Sequence, residues 1–364
     1  MKKLLFILLC ALCSTQTFAQ LRKTKNLIIV TLDGMRWQEV FRGADSAMIN
    51  SKYTTDQDEV RKKYWVTSAE ERRKILFPFL WSVISNQGQL YGNRDAGNKD
   101  EVANPYHFSY PGYNEIFTGF PDIRMNTNDP ISNPNMNVLE YINKQKGFEG
   151  KVISFSSWER FPQILNVNRS GLLVNSGYSD LKNADANPRL KYLNELQYNV
   201  PRYMDDDSTR LDFITYEYSK EYIKQYKPRV LHMAFDETDD MAHKGNYKFY
   251  LDRAKQEDGY IKVLWDMIQS DPFYKNNTTL LITTDHGRGD EPIDHWRSHG
   301  AKIKGSENTW FAVIGPDTAP TGEIKTPTIT YHKQLAQTMA QLLGLDFKAN
   351  AGHEVGDAIK TVIK

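Results

Sequence analysis

Acids and imidazoles stand where three apolar runs of this sequence stop. Leu280-Leu281-Ile282 and Thr283-Thr284 run into Asp285-His286-Gly287, and Leu27-Ile28-Ile29-Val30-Thr31-Leu32 delivers Asp33. Val230-Leu231-His232-Met233-Ala234-Phe235 leads to Asp236, Asp239 and His243. A buried strand that ends this way presents its acid outside the carboxyl edge of a sheet, where open α/β sheets bind ligands. Asp239 and His243 flank Asp240-Met241-Ala242, a spacing that puts both side chains on one face of a helical turn. His299 follows in Trp296-Arg297-Ser298-His299-Gly300. Asp33, Asp239, Asp285, His243, His286 and His299 thus form a mixed oxygen and nitrogen donor set. Such a set suits zinc and could also hold manganese or iron. Two cations held close together can clamp the attacking and leaving oxygens of a displacement at phosphorus.

A nucleophile for that displacement is offered by Phe108-Ser109-Tyr110-Pro111-Gly112-Tyr113-Asn114. A serine hydroxyl is weak unless a base or a metal activates it. No Gly-x-Ser-x-Gly elbow surrounds Ser109, so activation by a metal is the natural choice.

These residues need a scaffold. Residues 26–33, 151–155, 229–235 and 279–284 read as strands, and 69–87, 136–146, 208–226, 247–270 and 334–343 as helices. Pro78 kinks or splits the first helix. Residues 93–135 are rich in Asn, Pro and Gly, with little periodicity beyond 115–118, and long irregular segments in compact domains are usually functional or disordered. Residues 177–210 are polar, and Asp205-Asp206-Asp207 reads as a helix cap or a solvated loop. Strands separated by helices imply an α/β fold, with a mostly parallel sheet covered on both faces.

At 364 residues the chain can bury a large core, and residues 20–364 read as one domain. Residues 1–19 read as a signal peptide: Lys2-Lys3, then the apolar Leu4–Leu9, then Thr17-Phe18-Ala19 before Gln20. The expected destination is the periplasm or the outside of the cell. The apolar core is too short for a membrane span, and Leu before each of Cys10 and Cys13 argues against lipoprotein processing. These are the only cysteines, so the mature chain has no thiolate ligand, thiol nucleophile or disulfide. Without Lys2 and Lys3 it carries 44 basic and 45 acidic residues. No global field draws it to a nucleic-acid polymer or an anionic membrane; a small molecule is the expected partner.

Taken in order, the motifs resemble those of the alkaline phosphatase superfamily, and most of all its nucleotide pyrophosphatase/phosphodiesterase branch. Leu32-Asp33-Gly34-Met35-Arg36 is similar to the first metal motif. Ser109-Tyr110-Pro111-Gly112 is similar to the nucleophile motif, usually Thr-Phe-Pro-Asn. Asp239 through His243-Lys244-Gly245 is similar to Asp-x-x-x-His, and Thr284-Asp285-His286-Gly287 to Ser-Asp-His-Gly. The resemblance implies an alkaline phosphatase-like fold and two divalent cations, zinc before others. Asp239, His243 and His299 would hold one, and Asp33, Asp285 and His286 the other, with Ser109 bound to it. It implies a phosphate-ester substrate and a phosphoserine intermediate at Ser109. It also implies an asparagine on the phosphoryl oxygens, Asn128 in preference to Asn126. Tyr110 would stack on a substrate ring, and Trp158 and Phe161 would line the same pocket, unless they simply pack. A phosphomonoesterase is the alternative activity. A sulfatase is disfavoured, because Tyr113 stands where formylglycine formation needs Arg.

Other residues have plainer readings. His107 and His232 read as structural, and Asp236 and Asp240 as neighbours of the ligands. His299 is preferred to His295 as a ligand. Arg160 and Arg169 are candidate phosphate clamps. Arg288-Gly289-Asp290 spells an adhesion tripeptide by chance.

Overall fold

The computed structural model describes residues 22–182, 184–200 and 208–364. The signal-peptide reading over 1–19 and the acidic triplet Asp205–Asp207 lie outside the described residues. The strands are β1 (Asn26–Leu32), β2 (Gln89–Tyr91), β3 (Lys99–Glu101), β4 (Val152–Ser156), β5 (Leu173–Ser176), β6 (Val230–Phe235), β7 (Thr278–Thr283), β8 (Asn308–Thr309), β9 (Phe311–Ile314), β10 (Gly322–Glu323) and β11 (Ile329–Tyr331). Eight form one sheet in the order β10-β2-β9-β7-β1-β6-β4-β5, and β11-β3-β8 form a second, smaller one. Within the large sheet only β9 runs antiparallel to its neighbours, β7 and β2.

The strand residues alternate between two cores. Ile28, Val30 and Leu32 of β1 join one apolar cluster with Leu231, Met233 and Phe235 of β6 and Leu280 and Ile282 of β7. Leu27 and Ile29 join the other with Val230, Ala234 and Leu281. Both faces are therefore apolar and must be covered, which is why these strands read as unbroken hydrophobic runs. The helices Asp212–Tyr226 and Tyr247–Ser270 cover the first face, and Ser109–Thr118 and Leu335–Leu342 the second. Among the described residues no helix is long and apolar enough to cross a membrane.

β1 lies between β6 and β7, parallel to both, with Leu32 level with Phe235 and Thr31 level with Thr283. That register brings the residues after all three strands to one edge. The predicted helix over 69–87 is split at Pro78 into Ala69–Leu76 and a distorted turn over Leu80–Ile84. The amides freed at the break, those of Phe79 and Leu80, donate to the buried Asp258 carboxylate at 2.8 and 3.1 Å.

Residues 93–135 are more regular than their composition suggests, because they hold β3 and the helix Ser109–Thr118. All ten residues of that helix are buried, so it has no polar face to produce a helical stripe. Pro111 falls in its first turn, where no intrahelical bond is lost. The asparagines after it take over for missing secondary structure. Asn133 donates to Asn114 Oδ1 at 3.0 Å and Asn135 to Asp122 Oδ2 at 2.8 Å.

Candidate metal centre

Three strand ends supply the acids. Asp33 follows β1, and its amide donates to the Phe235 carbonyl at 3.0 Å. Asp285 follows β7 after Thr284, and its Oδ1 accepts from the Gly34 amide at 3.1 Å. Gly34 has φ +57°, a left-handed turn that suits glycine. Asp239 lies in the helix Glu237–His243, which starts where β6 stops. Thr238 ties that helix to β1 by donating to the Asp33 carbonyl at 2.7 Å.

The six donors fall into two clusters: Asp33 with Asp285 and His286, and Asp239 with His243 and His299, the ligand atoms of each within 4.8 Å of one another. His286 Nε2 is 3.3 Å from Asp33 Oδ1, 3.5 Å from Asp285 Oδ2 and 3.8 Å from Asp239 Oδ1. The clusters therefore abut. In the second, His243 Nε2 is 3.0 Å from Asp239 Oδ2 and 3.0 Å from His299 Nε2. The His286 and His299 rings stack at 4.0 Å.

The donor set fits divalent cations. Asp33 Oδ1 and Asp285 Oδ2 are buried without an aligned hydrogen-bond donor, and bare buried carboxylate oxygens are costly. Burial and then the neighbouring Asp33 push Asp285 well above the usual carboxylate range, and burial and then Asp239 raise Asp33. Burial also opposes a proton on His286, but the Asp285 and Asp33 carboxylates win and raise it to about 9. Positive charge is what this pocket lacks. The His286 Nδ1 lies 2.9 Å from the Gly287 carbonyl, which holds the ring so that Nε2 faces the acids.

Ser109 is the first residue of its helix, and its Oγ lies 3.4 Å from His286 Nε2. The helix dipole favours an anion at this end. Asn128 is beside it: its Oδ1 accepts from the Tyr110 amide at 3.0 Å, and its carbonyl accepts from Arg160 Nε at 3.0 Å. The second nitrogen fork of Arg160 is on Glu159. Gly112 fits here because a Cβ would come 2.3 Å from the Asp285 carbonyl oxygen. A larger residue there would not.

Tyr110 is corrected by the structure. Its ring is fully buried in the core and its hydroxyl donates to the Ile131 carbonyl at 2.5 Å, because i+1 on a helix turns away from the face that carries Ser109. It offers no surface to a substrate. Phe161 is likewise buried, edge-on to Tyr113 at 4.7 Å. Trp158 is half-buried against the second core. Arg169 is consumed by Glu140 and by the carbonyls of Asn133, Pro134 and Asn135, so it is no clamp. His295 stays outside both clusters, and His299 is inside one.

Two contributors escaped the sequence reading. Tyr113, one helical turn after Ser109, donates to Asp33 Oδ2 at 3.0 Å. Arg288, directly after Asp285-His286-Gly287, bonds Asp239 Oδ1. Only the position of Arg288 beside a ligand motif could have flagged it.

No family model and no curated protein matches the sequence. Solved structures do. Alkaline phosphatase PafA is 11% identical with a TM-score of 0.59, over 94% of this chain and 99% of that one. A 2-O GAG sulfatase is 13% identical with a TM-score of 0.57, over 93% and 73%. The lipoteichoic acid synthase LtaP from Listeria monocytogenes is 11% identical with a TM-score of 0.56, over 88% and 72%. A protein from Vibrio parahaemolyticus described as in the alkaline phosphatase superfamily is 12% identical with a TM-score of 0.52, over 90% and 68%. At these identities the likeness establishes the fold: a mostly parallel α/β sheet with helices on both faces, as in alkaline phosphatase-like structures.

Proposed function

We propose that this protein is an exported, two-metal phosphohydrolase that cleaves phosphodiester or pyrophosphate bonds through a phosphoserine at Ser109, with residues 20–364 as its catalytic domain. The observation that carries the reading is Ser109 Oγ, at a helix N-terminus and 3.4 Å from His286 Nε2, in front of two adjoining donor clusters. Asp33, Asp285 and His286 would hold one zinc, and Asp239, His243 and His299 the other. Bound there, the cations would lower the pKa of a hydroxyl and offset the charge that develops on the phosphoryl oxygens and the leaving group.

The protein's own groups do the rest. Ser109 Oγ loses its proton to solvent and forms a bond to phosphorus as the ester or anhydride P–O bond breaks. The leaving oxygen departs with the bonding pair and takes up a proton. Water then breaks the phosphoserine bond, which releases the phosphate product and restores the hydroxyl. The Asn128 side chain, whose Oδ1 accepts from the Tyr110 amide at 3.0 Å, would offer its Nδ2 to a phosphoryl group on Ser109.

A diester carries one charge fewer than a monoester dianion and so needs less cationic support. Arg160 shares its charge with Glu159, which supports the diester reading. A monoesterase is the second reading, favoured by the same Arg160 if substrate draws its fork from Glu159. A sulfatase would need Arg at 113, and Tyr113 there is bonded to Asp33.

The test compares bis-p-nitrophenyl phosphate, p-nitrophenyl phosphate and p-nitrophenyl sulfate on the zinc-loaded enzyme, with Ser109→Ala alongside. Diester should be cleaved fastest, and Ser109→Ala should abolish turnover while keeping metal and fold. Faster monoester or sulfate cleavage overturns the substrate class, and full activity of Ser109→Ala overturns the nucleophile.

A further inference from the structure

We propose that Arg288 and Arg297 are positioning residues that assemble the second metal cluster. The inference rests on the two-metal reading. The His299 loop leaves the end of β7, turns through the short helix Ile293–Arg297, and must return to meet Asp239 and His243. Among the described residues no strand pairing holds it there. One backbone bond, from the Gly289 amide to the Ser298 carbonyl at 3.2 Å, and two guanidiniums do.

Arg288 is fully buried. Its Nε donates to the Trp296 carbonyl at 2.8 Å, one terminal nitrogen donates to the Arg297 carbonyl at 2.7 Å, and the other bonds Asp239 Oδ1. One planar fork thus fixes both the loop, two residues before His299, and the ligand that His299 must meet. Because Arg288 occupies Oδ1, the carboxylate turns Oδ2 toward His243, 3.0 Å away. Arg297 closes the circuit from the other side. Its Nε and Nη2 donate to the His243 carbonyl at 3.2 and 2.9 Å, which ties the loop to the end of the helix that carries the other imidazole.

The packing is built around this pair. A Cβ on Gly34 would lie 2.4 Å from Asp239 Oδ1 and 2.7 Å from Arg288 Nη1, so the first metal motif leaves room for it. A permanent cation beside a metal ligand is a Coulombic cost to metal binding. It is tolerated here because it organises three donors that come from separate elements.

The test titrates chelated full-length protein with cobalt(II) and follows visible absorption, which reports coordination and not turnover. Wild type should show two binding steps. Arg288→Gln should keep the first step and weaken the second by about 10–100-fold, the usual effect of losing such a partner. Arg288→Lys keeps the charge but not the planar fork and should stay weakened. Arg297 is exposed, so Arg297→Ala should fold and weaken the second step severalfold; it decides the matter if Arg288→Gln misfolds and loses both steps. A wild-type second step in Arg297→Ala, or in any Arg288 variant, overturns the proposal. Wild-type protein that binds no cobalt overturns the two-metal reading and this proposal with it, a failure visible before any substitution is made.

Discussion

Replacing His232 with Gln should flatten the acid side of the stability profile. The imidazole is fully buried in the sheet, under the helix Ser109–Thr118. Its Nδ1 is 2.9 Å from Ser154 Oγ on β4, and its Nε2 is 3.2 Å from Thr31 Oγ1 on β1. The Phe117 and Phe161 rings pack on it at 4.8 and 5.1 Å. Burial lowers its pKa from 6.5 to about 3, since an imidazolium would lose its hydration there. The unfolded chain takes up a proton near pH 6.5, and the folded chain does not until about pH 3. The His232 contribution is therefore complete above the unfolded value and is lost as pH falls toward the folded one. Within that window the loss depends on the unfolded pKa alone, at about 1.4 kcal/mol per pH unit. Going from about pH 8 to about pH 5 should cost about 2 kcal/mol. Urea unfolding of chelated wild type and His232→Gln at both pH values measures it, and the difference between the two proteins cancels the other titrating groups. The same pH dependence in both would refute the argument.

Gly112→Ala should cost about 1–3 kcal/mol of stability and most of the activity, because the new Cβ meets the backbone of Asp285, which cannot yield; a wild-type melt would refute the tight fit. Tyr110→Phe loses only the bond to Ile131, about 1 kcal/mol, and should leave KM unchanged. A raised KM for aryl or nucleotide diesters would put that ring in the substrate site after all. Zinc added to chelated protein should stabilise it by about 2.7 kcal/mol at a free concentration 100-fold above Kd, read as a higher melting temperature, and should still raise the melting temperature of Ser109→Ala, where the six acid and imidazole donors remain. No shift in either would remove the metal reading.

The parts of the site legible in the sequence are those that end strands. β1, β6 and β7 are buried on both faces, so their apolar runs were unbroken, and Asp33, Asp239 and Asp285 stood where the runs stopped. The helix over 247–270 was legible because one of its faces is solvated. The helix at Ser109 was not, because it is buried all round and carries Pro111 and Gly112. The short strands β2, β3, β5 and β8–β11 were too brief for a two-residue period to register. Tyr110 misled for a related reason: adjacency to Ser109 in sequence is opposition on a helix. Tyr113 and Arg288 bond Asp33 and Asp239, and their residue types carry no signature of those bonds.

The central place of β1 also governs when the site can exist. The Gly34–Asp285 bond closes a separation of 251 residues, and Ser109 and His286 are 177 apart. Such distant pairings form slowly, since the loops they close must lose their freedom first. A chain growing from its N-terminus holds Asp33 early but has nothing to set beside it until β6 and then β7 arrive. Neither three-donor cluster can be complete before His286 and His299 have been made. A cation held by these clusters would thus be captured late, by a sheet that has already found its order. Such an ion would be drawn from the surroundings in which folding finishes, whatever ions were present where synthesis began.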